Sequence, residues 1–145
     1  AIRSLRSEMN IPPAILIPLV LAGASAEARA RAQRWSDTVK RLARLADISF
    51  ADHPPAGAVQ LLVRGDLVAL PLKGVIDLAA EKARLEKEVA KADADIKRVD
   101  AKLSNEKFVA NAPEEIVEEE KEKRAAAEQR KARILEALER LKNAA

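Results

Sequence analysis

The chain has 145 residues, 34% of them charged, with 26 Lys and Arg against 23 Asp and Glu, one His and no Cys. Disulfides and thiolate metal sites are excluded, which suits a cytoplasmic protein, and no stretch approaches the ~18 apolar residues of a membrane span. From Leu78 onward 16 basic side chains meet 16 acidic ones, whereas the earlier part holds 10 and 7, so a small globular piece precedes a highly charged one.

Ala1 to Met9 reads as the last turns of a helix, with Ile2, Leu5 and Met9 on one face and Pro12 and Pro13 as the stop. Alone, that face is expected to be frayed or exposed. Ala14 to Leu21 is an apolar run interrupted by Pro18, which argues for an edge strand or a bulge rather than a central strand. Ser25 is the expected N-cap of one helix whose stripe Ala28, Ala32, Trp35, Val39, Leu42 and Ala46 has helical spacing. Ile48 to Phe50 reads as a short strand, and Ala58 to Val63 and Leu67 to Leu72 flank a tight turn at Gly65 and Asp66. Residues 14–77 are thus expected to form a β-α-β-β unit and its linker. The sheet should be mainly antiparallel, and Gly74 allows a sharp change of direction after it.

At Leu78 the period changes. Leu78, Leu85, Ala92 and Val99 recur every seventh residue, with Val89, Ile96 and Leu103 interleaved as in a coiled-coil seam. Val117, Ala127, Ile134, Leu138 and Leu141 form a facing stripe. Placing Leu103 opposite Val117 sets Ala92 against Ala127, Leu85 near Ile134 and Leu135, and Leu78 near Leu141. Large residues then meet large and small meet small, within one chain. The fold class predicted is α+β, with residues 78–145 as a long antiparallel two-helix coiled-coil hairpin and the protein a monomer. Leu103 to Val117 reads as the loop at its tip, with Phe108 as apolar plug and Pro113 in the first turn of the second helix. Glu114, Glu115, Glu118 and Glu119 suit the positive end of that helix and need no metal to explain them.

Catalytic chemistry is not legible. His53 sits beside Pro54 and Pro55 in a loop, Gly23, Gly57, Gly65 and Gly74 form no phosphate-binding pattern, and Arg64-Gly65-Asp66 is explained by a strand-joining turn. No catalytic or metal-ligating residue and no cofactor of the chain itself are expected.

Three segments, in order, carry a family resemblance: Ile2 to Pro13, Gly74 to Glu88, and Leu103, Asn105, Phe108, Ala112 and Pro113 at the tip. Together they resemble the carboxy-terminal region of bacterial valyl-tRNA synthetases. The resemblance implies that residues 1–13 end a helical anticodon-binding domain, and that the hairpin is the arm that touches the outer corner of tRNA. The HIGH-type and KMSKS-type signatures of a class I synthetase are missing, so the chain is read as a noncatalytic carboxy-terminal fragment of a larger enzyme. Upstream domains of the same polypeptide are implied, as is a parent reaction joining valine to its tRNA with ATP and magnesium.

On that reading the partner is tRNA, with no membrane involved. The RNA-binding candidates are Lys97, Arg98, Lys102 and Lys107 outward of the first helix, and Lys123, Arg130 and Arg133 on the second. Leu103, Asn105, Phe108 and Pro113 are assigned the structure of the tip. With Trp35, Phe50 and Phe108 as the only aromatics, base stacking has few platforms, and contacts to phosphate and 2′-hydroxyl groups are expected instead. The alternative is a coiled-coil module for protein association, in which the seam would continue between chains.

Overall fold

The computed structural model describes residues 1–144. Its elements are α1 (Ile2–Glu8), β1 (Ile17–Ala22), α2 (Ala26–Arg34), α3 (Ser36–Ala43), β2 (Leu45–Ala51), β3 (Ala58–Val63), β4 (Asp66–Pro71), α4 (Leu78–Leu103), α5 (Glu106–Asn111) and α6 (Glu114–Ala144). The class is α+β, a mixed sheet with a helical hairpin, as the periodicities predict. Two compact units result: Ala1–Lys82 with the end of α6 from Glu139, and Ala83–Leu138.

In the first unit the sheet order is β2-β1-β4-β3. β1 runs parallel to β2 and antiparallel to β4, which is antiparallel to β3. The expected edge position of β1 is therefore corrected: it is an interior strand. Pro18 is accommodated because the register shifts between Ile17 and Pro18, and because pairing with β4 starts only at Val20. The ladder asks no N–H of Pro18 on that side, so the bulge half of the expectation holds.

The β3–β4 turn consists of Arg64 and Gly65, one residue earlier than expected, between the paired Val63 and Asp66. Both turn residues have positive φ, 51° and 85°, the backbone of a type I′ hairpin whose twist matches its strands. Asp66 begins β4, and its carboxylate lies 3.8 Å from Arg31.

The single helix expected after β1 is two. Ser25 does cap the first, its Oγ accepting the Ala28 N–H at 3.1 Å. The helix breaks at Trp35, where Ser36, Asp37 and Thr38 follow, residue types that favour helix starts over helix interiors. The stripe is corrected with it: Ala28 is buried, but Trp35 is 56% and Leu42 60% exposed.

α1 is not frayed. Leu5, Met9 and Ile11 are buried, as are Ile17, Val59, Leu70 and Leu72 of the sheet and its exit. Arg6 ties down the turn after α1, donating to the carbonyls of Pro12 at 2.8 Å, Ile15 at 2.6 Å and Arg44 at 3.0 Å. At the other end of the chain, Arg140 donates to Glu8 at 2.8 Å, and the carbonyl of Ala144 comes so near Gly57 that an added Cβ would stand 3.2 Å from it.

The second unit is the hairpin. Leu85, Ala92 and Val99 of α4 and Ala127, Ile134 and Leu138 of α6 are buried, which agrees with the predicted apolar seam. The tip differs from a plain loop, since α5 occupies most of it. Asn105 accepts the N–H groups of Lys107 and Phe108 at 3.1 and 3.3 Å, an N-cap that starts a helix within two residues of the end of α4. Phe108 is half-buried on α5, and Pro113 immediately precedes α6, its carbonyl accepting from Ile116 and Val117.

Candidate nucleic-acid interface

The seam positions of α6 run Val117, Glu120, Arg124, Ala127, Lys131, Ile134 and Leu138, alternating steps of three and four. Of the polar members, the register read from sequence already sets Arg124 and Lys131 near the seam, opposite Ile96 and Val89, and misses Glu120. Glu120 is the deepest of these, its side chain 6% exposed. It accepts from Lys102 of α4 at 3.2 Å and from Lys123, one turn on, at 3.1 Å. Its carboxyl is held below the ordinary range by the Lys123 hydrogen bond first and the Lys102 bond second, against an opposing effect of burial. The same contact, with the charge of Glu119, raises the Lys123 ammonium. The only sequence signal for this polar layer was the heptad position of Glu120.

Arg124 and Lys131 leave the seam toward one flank of α4. Arg124 Nε donates to Asp100 at 2.5 Å and Lys131 lies 2.6 Å from Asp93. Arg124 also reaches Glu128 at 2.7 Å, and its pKa is raised, chiefly by the Asp100 hydrogen bond. The seam-proximal cations on this flank are thus neutralised. Lys97, four residues from Asp93 and three from Asp100, shares the flank by helical spacing.

The opposite flank is organised differently. Lys91, Ala94, Asp95 and Arg98 of α4, with Glu88 and with Arg130 of α6, line an open groove of about 410 Å³. Asp95 sits between two guanidiniums, 2.8 Å from Arg130 and 3.8 Å from Arg98, while Glu88 is engaged by Arg84 at 2.8 Å. Lys91 forms no ion pair among the described residues. Arg133, one turn beyond Arg130, bonds only the Gln129 carbonyl among the described residues, at 3.4 Å.

The sequence candidates therefore separate. Arg98, Arg130 and Arg133 belong to the groove flank, together with Lys91. Lys102 and Lys123 are committed to Glu120, so Lys102 is a packing partner as well as a surface cation. Lys97 lies on the other flank and Lys107 is exposed on α5. His53 is exposed in its bend, and among the described residues no three His, Cys, Asp or Glu side chains are placed to share a metal ion. No helix among them is long and apolar enough to cross a membrane.

Residues 77–142, which hold this groove, match the family model described as the valyl tRNA synthetase tRNA binding arm. The chain is 72% identical, over 99% of its length, to the valine–tRNA ligase of Nitrobacter winogradskyi. It is 73% identical, again over 99%, to the valine–tRNA ligases of Bradyrhizobium diazoefficiens and Rhodopseudomonas palustris. It spans 15% of the length of each of these relatives. Residues 77–142, the hairpin, thus belong to the family of valyl tRNA synthetase tRNA-binding arms.

Proposed function

We propose that the groove flank of the hairpin, Lys91, Arg98, Arg130 and Arg133, holds the sugar–phosphate backbone of tRNA and so supports aminoacylation with valine by a complete valine–tRNA ligase. The observation that carries this is the asymmetry of the two flanks. One sets Arg124 against Asp100 and Lys131 against Asp93, at 2.5 and 2.6 Å, while the other shares the single carboxylate of Asp95 between Arg130 and Arg98 and gathers both with Lys91 along one groove. Guanidiniums suit phosphate because their planar fork can donate two parallel hydrogen bonds. The groove has no aromatic lining, so it favours the shape of a folded RNA over its base sequence.

ATP, magnesium and the chemical step are assigned to the remainder of such a ligase, and residues 1–13 to the end of its anticodon-binding domain. A protein-association module is the weaker reading, because Leu85, Ala92, Val99, Ala127 and Ile134 are already buried within one chain.

Lysine acetylation footprinting tests the reading. Bound tRNA is expected to protect Lys91 and leave Lys97 and Lys121 reactive. Equal protection of both flanks, or of neither, contradicts it.

A further inference from the structure

The α/β unit has a second basic concavity, remote in sequence from the hairpin groove. Arg3 and Arg6 of α1 and Arg41 and Arg44 at the end of α3 line an open hollow of about 400 Å³, together with apolar groups such as Ile11 and Leu42. No acidic residue lines it. Arg3, Arg41 and Arg44 are exposed, and none of the four arginines pairs with a carboxylate among the described residues.

Arg6 is the unusual member. It is buried, yet its donors go to the neutral carbonyls of Pro12, Ile15 and Arg44. A buried charge ordinarily has a counter-charge, because desolvation is costly and carbonyl dipoles offset only part of it. Burial, and then repulsion by Arg44, pull the Arg6 pKa downward. Arg44 adds a second oddity, closing α3 at φ 55°, where Gly or Asn is the usual choice.

We infer that this hollow is a phosphate-binding site on the α/β unit, in which Arg3, Arg41 and Arg44, above the buried Arg6, take a phosphodiester group of RNA. A polyanion fits better than a small free anion because the cations are spread over two separate segments around an open hollow, and exposed Leu42 offers an apolar surface to a sugar. The inference rests on the RNA reading above but uses none of its residues.

The test is fluorescence anisotropy of the full chain with tRNA across a salt series. Two variants are compared: the double variant Arg3→Gln and Arg41→Gln, and Arg44→Gly, which keeps the left-handed backbone and removes the guanidinium. Arg6 is left in place because its loss would remove three hydrogen bonds that hold the backbone around the hollow. The double variant is expected to bind several-fold more weakly at low salt, with a log–log salt slope shallower by about 1.5, since each lost phosphate contact removes roughly 0.7–0.9. Arg44→Gly should move both quantities the same way by about half as much, with unchanged circular dichroism.

If both variants keep parental affinity and slope while Lys91→Ala with Arg98→Ala weakens binding, the hollow is not an RNA site and the hairpin reading stands. Absence of any tRNA binding by the parent overturns both. In a parallel arm, inorganic phosphate is compared with chloride at equal ionic strength. Phosphate raising the parental Tm but not the variants', with RNA affinity unmoved, reduces the hollow to a free-anion site and also overturns the assignment.

Discussion

The Glu120 carboxylate accepts a hydrogen bond from Lys102 at 3.2 Å across the two long helices of the hairpin, from a position where the side chain is 6% exposed. A seam carboxylate of this kind fixes register, since any slip would separate it from its partner. Lys102→Met should therefore destabilise the hairpin, whereas Lys97→Met, on the opposite flank, should be nearly neutral. Urea unfolding followed by helicity checks the contrast, and equal effects would mean that the pair does not hold the seam.

Acid should act through the same carboxylate. The folded pKa of Glu120 lies below its ordinary 4.5. Its ionised form is thus favoured in the folded state, and the unfolded chain binds the proton more readily. The contribution is fully present above that ordinary value and is lost as pH falls through the lower folded one. Glu120→Gln should be less stable than the parent at neutral pH, with the gap closing in strong acid. A gap independent of pH would assign the effect to packing alone.

At the tip, Asn105 satisfies two N–H groups of α5. Asn105→Ala should cost roughly 1 kcal/mol locally and quicken hydrogen exchange over α5, while amides of β1 and β4 keep their protection. Uniform quickening would show that the two units unfold as one.

Gly57 has φ 74°, and a Cβ there would meet the Ala144 carbonyl at 3.2 Å. Gly57→Ala should destabilise the α/β unit by about 1–2 kcal/mol from the backbone conformation alone. Gly65→Ala, at a positive-φ turn position with nothing within 4 Å, should cost only that conformational part, so the excess at Gly57 reports the close approach. Thermal unfolding that ranks the two variants equally would remove the role given to the close approach at Gly57.

Periodicity made much of this fold legible. The seven-residue recurrence of Leu85, Ala92 and Val99 carried both the hairpin and its burial, and Ser25 carried a helix start, because these signals are local. What escaped depends on tertiary context. Pro18 could sit in an interior strand only because β4 begins pairing beyond it. Trp35 looked like part of a helical stripe, whereas Ser36, Asp37 and Thr38 made a second helix start there. The face of α1 looked unpartnered because nothing local announced that Leu5 and Met9 would join the core of the α/β unit. Among the site candidates, charge alone could not separate Lys97 from Arg98, adjacent in sequence and on opposite flanks. That distinction needed the partners of Asp93, Asp95 and Asp100.

The salt dependence of tRNA binding tests the central claim most directly. In Lys91→Ala, Arg98→Ala and Arg133→Ala combined, the log–log slope should fall by roughly 2, from about 0.7–0.9 per lost phosphate contact. Affinity should drop alike for valine tRNA and other tRNAs, because backbone contacts carry no sequence directly, and Lys97→Ala with Lys121→Ala should leave the slope unchanged. An unchanged slope in the groove variant with helicity intact, or a loss confined to the Lys97 flank, would contradict the assignment of the groove as the RNA-binding face.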